Sequence, residues 1–131
     1  MIGPIEGMSL VGNKWVLNQV DLGSSRMYVD VMKKKGDTTS NVKRQINEKQ
    51  TQKNMKLKIV HSDGGREIVN KELGDFLASN GTVHTTTVPD TPQHNPCERG
   101  NRTLIENARS MLQFSGAPAY LGDEAIMCAA L

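Results

Sequence analysis

Residues 56–88, KLKIVHSDGGREIVNKELGDFLASNGTVHTTTV, contain the pattern from which the architecture is built. Leu57, Ile59 and Val60 make 56–61 a short strand too apolar to alternate, as expected of a strand covered on both faces. Asp63-Gly64-Gly65 interrupts it, because an Asp before Gly-Gly is a turn signal. Asn70 suits the N-cap of a helix carrying Leu73, Phe76 and Leu77, and Asn80-Gly81 suits its stop. Val83–Val88 is β-branched throughout apart from His84 and reads as a second strand. Strand, helix and strand over this length form a crossover unit, so the two strands should be parallel. Ligands of such sheets gather beyond the carboxyl ends of the strands, and Asp63 lies there.

The flanking residues extend the same alternation. Residues 1–9 are a Gly/Pro-containing lead-in, and 14–20 (KWVLNQV) read as a strand. A Gly-Ser turn at 23–25 separates it from 27–32, where Met27, Val29 and Val31 alternate with Tyr28 and Asp30. The charged stretch Lys33–Asp37 is a turn. Residues 39–54 suit a helix opened by Thr39 or Ser40, and with Val42 and Ile46 as nearly its only apolar anchors it should be peripheral. On the far side, Pro89 and Pro92 bracket a loop leading to a long helix near Glu98. At about 100° per residue, Leu104, Ile105, Ala108, Met111 and Leu112 share one stripe of that helix, with Glu98 at its margin. Arg102 and Arg109 lie roughly 40° and 20° from Glu98. Helices alternating with strands argue an α/β fold.

Composition sets the frame. The 131 residues have room for one domain. Hydrophobic residues are 37% and aromatics 4%, so the expected core is thin and padded by the seven methionines. A net charge of +2 and a pI of about 8.6 permit contact with DNA without pointing to it. Cys97 and Cys128 form no disulfide framework, and a reduced intracellular setting is the default expectation. No signal peptide is evident, and no apolar run approaches the roughly 20 residues that span a bilayer. His94 and Cys97 are three apart, yet no second ligand pair follows at a spacing that zinc needs.

The candidate chemistry rests on two acids. Asp63 and Glu98 stand on separate elements and can converge on one divalent cation, since hard cations prefer oxygen ligands. Such a cation activates a nucleophilic oxygen and stabilises charge on phosphate. Both acids also have plain readings: Asp63 as a turn former, Glu98 as a first-turn acid stabilised by the helix dipole. Likewise, Arg99 and Arg102 read as solvated helix charges or as phosphate contacts.

The words SDGG, VPDTPQHN and ERGNRT, in that order, resemble the integrase catalytic core of copia-type retrotransposons, a ribonuclease-H-like fold with a D,D,E carboxylate triad. The resemblance covers nearly the whole chain. Met1-Ile2-Gly3-Pro4 is similar to the end of the family's D-x-x-G-P word, and Val20-Asp21-Leu22-Gly23-Ser24-Ser25-Arg26 to its VDDFSR turn. Arg109–Leu112 and Tyr120–Ala125 are similar to its closing helices. Departures are equally specific. SDNGGEF reads SDGGREI here, VPYTPQ reads VPDTPQ, and NPCE is one residue shorter than NGVAE.

The resemblance implies a mixed β-sheet flanked by helices, and DNA integration by metal-dependent phosphoryl transfer. It implies Asp63 and Glu98 as catalytic metal ligands for Mg²⁺ or Mn²⁺, and Gln93, Asn95, Arg99 and Arg102 as nucleic-acid contacts. The implied partners are DNA and an integrase multimer, with no membrane and no small-molecule substrate. The implied location is the nucleus if the element is active. The first acid of the triad would fall immediately before Met1. Asp21 is a poor substitute, because it ends a strand antiparallel to the missing one and should lie at the far end of the sheet; Glu6 is nearer in sequence to the gap, in a turn. The expected chain is therefore one domain, 1–131, incomplete at the N-terminus and at the C-terminus, with its first central strand truncated and no activity alone. The alternative is a non-catalytic nucleic-acid-binding remnant of the same fold. Two structural expectations follow: Asp63 and Glu98 approach at one sheet edge, and the strands over 14–32 show unpaired edges unless residues 1–9 repair them.

Overall fold

Trp15–Asp21 (β1) and Arg26–Met32 (β2) form an antiparallel hairpin, in register from Trp15 opposite Met32 to Asp21 opposite Arg26. Its turn is closed by Asp21, whose carboxylate accepts from the Gly23 N–H at 3.0 Å and the Ser24 hydroxyl at 2.9 Å. The computed structural model describes residues 1–5, 7, 9–87 and 96–131. The chain divides into two compact units, Met1–Lys35 with Asn95–Leu131, and Gly36–His94.

In the first unit the lead-in pairs with the free edge of β1. Ile2 and Val16 exchange backbone bonds of 2.7 and 2.8 Å, and the Ile5 N–H donates to Lys14 O at 2.8 Å. The pairing expected of residues 1–9 is thus made at Ile2 and Ile5; Glu6 and Met8 lie outside the described residues. Val16, Leu17 and Asn18 are buried in succession, so both faces of β1 are covered. Helices Pro96–Ser115 (α3) and Gly122–Ala129 (α4) pack together, α3 against β1 and α4 against β2. Ile5, Val16, Ala108, Ala125 and Ile126 form the core there, with Val29, Val31, Ile105 and Leu112 against it. Four of the five residues read as one stripe on α3 are buried or half-buried. Met111 is the exception at 43% exposed, because it lies at the stripe's edge toward the end of the helix.

The second unit holds Thr38–Lys53 (α1), Ile59–Ser62 (β3), Lys71–Ser79 (α2) and Val83–Thr86 (β4). β3 and β4 are parallel, as the crossover requires, with Ile59 opposite Val83 and Ser62 opposite Thr86. Asn70 caps α2 by accepting from the Leu73 N–H at 2.9 Å, and Gly81 follows the helix with φ +70. Three expectations need correction. α1 is not opened by Thr39 or Ser40: it starts at Thr38 with Asp37 in the N-cap position and no side-chain cap bond, and Thr39 lies inside it, its hydroxyl donating to Glu67 O and accepting from Asn70. Nor is α1 peripheral, since Thr38, Thr39, Val42, Gln45 and Ile46 are all buried on the side that meets α2. Finally, β3 is not covered on both faces: Ile59 is 61% exposed, its partner Val83 is 58% exposed, and burial alternates along the strand. Each described sheet has two strands, one pair antiparallel and one parallel.

Candidate metal and nucleic-acid site

Asp63 is the first residue after β3 and is exposed. Its Oδ1 accepts from the Gly65 N–H at 3.1 Å. A Cβ on Gly65 would meet the Glu67 carboxyl at 2.9 Å and Asp63 Oδ1 at 3.1 Å, so both side-chain ends would have to move for any larger residue there. Gly65 O then accepts from Ile68 and Val69, which delivers the chain to the Asn70 cap. One carboxylate oxygen of Asp63 therefore serves the turn. The other accepts no hydrogen bond among the described residues and is available to a cation. Turn former and ligand are compatible roles for one side chain.

Glu98 sits in the first turn of α3, exposed, where the helix N-terminus favours a negative charge. The placement of that turn depends on residues the motif reading passed over. Asn18, 5% exposed on β1, donates through Nδ2 to Asn101 Oδ1 at 3.0 Å. Between Glu98 and Asn101, Gly100 lies so close to the hairpin that a Cβ would meet Met27 Sδ at 3.0 Å and Asn18 Nδ2 at 3.1 Å. The Gly-Asn of the ERGNRT word thus seats α3 on β1. A sequence signal existed, namely a polar Asn18 inside the otherwise apolar VLNQV strand.

Asp63 belongs to the second unit and Glu98 to the first. Arg99 and Arg102 are exposed on α3, and Arg102 Nε is bonded to Glu106 Oε1 at 3.0 Å. An exposed pair of this kind is weak and exchanges readily for another anion. Gln93 and Asn95 lie outside the described residues, as do His94, the whole stretch 88–95 and Glu6. Asp21 is engaged in its own turn. Among the described residues no three His, Cys, Asp or Glu side chains come together as a metal site. Cys97 is half-buried and Cys128 exposed, both as free thiols. No described helix is long and apolar enough to cross a membrane.

One acid given no role in the sequence reading is structural. Asp123 is 4% exposed at the start of α4. It accepts from Ser9 Oγ at 2.6 Å, Asn13 Nδ2 at 2.9 Å and the Glu124 N–H at 3.0 Å. Burial pushes its carboxyl up, but these bonds outweigh burial and hold it below the usual carboxylate range.

The geometry has close counterparts. The chain is 19% identical to a chain of the simian T-cell lymphotropic virus intasome in complex with PP2A regulatory subunit B56 gamma, with a TM-score of 0.69 over 88% of this chain and 40% of that one. Against the HTLV-2 integrase catalytic core domain in complex with magnesium, the TM-score is 0.60 at 20% identity, over 88% of this chain and 78% of that one. The catalytic core domain of BIV integrase gives 0.61 at 21% identity, over 88% and 71%. The fold is that of a retroviral integrase catalytic core, in the ribonuclease-H-like class.

In sequence, the chain is 35% identical over 128 residues to the retrovirus-related Pol polyprotein from transposon TNT 1-94 of Nicotiana tabacum, covering 97% of this chain and 10% of that polyprotein. It is 44% identical over 69 residues to the transposon Ty1-DR6 Gag-Pol polyprotein of Saccharomyces cerevisiae, covering 52% of this chain and 4% of that one. No protein-family model matches. The chain is a homologue of a segment of transposon Pol polyproteins, an integrase-core-like domain spanning about a tenth of the tobacco relative's length.

Proposed function

We propose that this chain is the catalytic core of a copia-type integrase, built for metal-dependent phosphoryl transfer on DNA, with Asp63 and Glu98 among the carboxylates of that reaction. The observation that carries the reading is Asp63, at the carboxyl end of a parallel strand pair with one carboxylate oxygen unengaged among the described residues. Asp63 and Glu98 are exposed oxygen donors and fit a hard dication such as Mg²⁺ or Mn²⁺ in ligand type. The HTLV-2 neighbour, a core in complex with magnesium, supports that choice. When bound, the metal would supply an activated oxygen nucleophile and charge stabilisation at phosphorus. Gly65 holds one oxygen of the Asp63 carboxylate, which leaves the other for the metal. Arg99 and Arg102 offer cations to DNA phosphates, Arg102 by giving up Glu106. In an active element this work is done in the nucleus, by a multimer on DNA.

The acid expected three residues before Gly3 is not among these 131 residues. We therefore expect weak Mg²⁺ binding, lost in Asp63→Ala, and no joining of DNA ends by this chain alone. A chain extended by a strand ending in aspartate before Met1 is expected to join ends, with Glu98→Gln abolishing it. Magnesium-dependent joining by the unmodified chain, abolished by Glu98→Gln, would overturn the ligand count. The second reading is a non-catalytic nucleic-acid-binding remnant of the same fold, and the exposed cations Arg99 and Arg102, which need no metal to meet phosphate, speak for it. DNA binding insensitive to Asp63→Ala, with no joining by the extended chain, would decide for it.

A further inference from the structure

Ser62, the residue before Asp63, is held from the neighbouring strand. Its Oγ lies 2.7 Å from His84 Nε2 and donates to the Asp63 carbonyl oxygen at 3.0 Å. A serine hydroxyl carries one hydrogen. With that hydrogen on the Asp63 carbonyl, His84 must supply the hydrogen of the shorter bond through Nε2–H. The register allows it: His84 is opposite Val60 and Thr86 opposite Ser62, so His84 and Ser62 share one face of the ladder. Both are half-buried.

The preceding peptide, Ser62–Asp63, is tied as well. Ser62 O accepts the Thr87 N–H at 2.9 Å. On the opposite face of the ladder, His61 lies 2.9 Å from Thr85 Oγ1 and 3.0 Å from Thr87 Oγ1. The chain entering Asp63 is therefore pinned to β4 by backbone and side chains. With the serine hydrogen on the carbonyl, His84 serves Ser62 as a donor and not as a base. Among the described residues no carboxylate orients His84 Nδ1 as a nucleophile and its base require.

We propose that His84 is a positioning residue for Asp63. It holds the Ser62 hydroxyl, the hydroxyl holds the Asp63–Gly64 peptide, and that peptide sets the carboxylate whose Oδ1 is bound by Gly65 and whose other oxygen faces the cation. The inference rests on the reading of Asp63 as a cation ligand, and two measurements on the full 131-residue chain separate them. Gly65 amide exchange without metal reports the geometry of the turn. Broadening of the Gly64 and Gly65 amides by Mn²⁺ reports cation affinity.

Ser62→Ala and His84→Leu are each expected to speed Gly65 exchange and weaken Mn²⁺ binding by about fivefold, the worth of one lost hydrogen bond. The double variant should be no worse than either single one. His84→Gln, which keeps an N–H donor, should recover most of the loss, and exchange of the Leu73 and Leu77 amides in α2 should not change. Should His84→Leu unfold, Ser62→Ala, which removes one oxygen, decides alone. Unchanged Gly65 exchange in Ser62→Ala, additive losses in the double variant, or a Gln variant as impaired as Leu would overturn the proposal. If Mn²⁺ broadens nothing in the wild-type chain while Gly65 exchange still responds to both variants, the cation-ligand reading falls and the positioning by His84 stands.

Discussion

Gly3 has φ +148, and a Cβ there would meet Trp15 Cε3 at 2.6 Å and Lys14 O at 2.7 Å. Lys14 O is also the acceptor for Ile5, so crowding it disturbs the pairing of the lead-in with β1. Gly3→Ala should therefore cost about 1–3 kcal/mol in urea unfolding, the range for backbone strain of this kind. Asp123 makes a second prediction at this scale. Its folded pKa is lowered, so its contribution is present above the unfolded value of about 3.9 and is lost as pH falls through the lower folded value. The melting temperature of the wild-type chain should exceed that of Asp123→Asn at neutral pH, and the gap should close below about pH 4. A gap that persists to pH 2 would refute the assignment.

Two seams decide how the elements sit. Asn70 caps α2 and also donates to the Thr39 hydroxyl at 2.9 Å and to Glu67 O at 3.1 Å, so one side chain joins α2 to the start of α1. Asn70→Ala should cost about 2 kcal/mol by denaturant unfolding, the upper end of N-cap losses, because its bonds to Leu73, Thr39, Glu67 and Arg66 are released together. The second seam is Asn18 to Asn101. Asn101→Ala strands a buried amide and should cost about 1–3 kcal/mol. Adding Asn18→Leu removes the stranded group, so the double variant should be more stable than Asn101→Ala alone. A double variant that is less stable would show that packing of α3, and not this bond, seats the helix.

Across the molecule, among the described residues, the lead-in covers only part of the β1 edge that faces away from β2. Val16 bonds Ile2 on that edge, and by the two-residue period Asn18 and Val20 present their amides on the same side. Hydrogen exchange should find Leu17 and Gln19 protected by β2 and Val16 protected by Ile2, with Asn18 and Val20 fast. Equal protection at all five would show that this edge is paired along its length. In the second unit, Ile59 and Val83 leave an apolar strip open on the β3–β4 ladder, where the composition of β3 had implied cover on both faces.

By itself the sequence determined the order of elements, the parallel pairing of the 56–88 crossover, the Asn70 cap and the Asn80-Gly81 stop. It also placed Asp63 after a strand and Glu98 in the first turn of a helix. These follow from hydrophobic period, capping chemistry and turn chemistry, which act within a few residues. Tertiary structure alone decided that Thr39 serves Glu67 and Asn70 rather than capping α1, and that β3 keeps one open face. It alone brought Asn18 to Asn101 across 83 residues and Ser9 to Asp123 across 114. A buried polar side chain must find a partner, but the pattern along the chain does not say which one, because the partners meet only after both elements have packed.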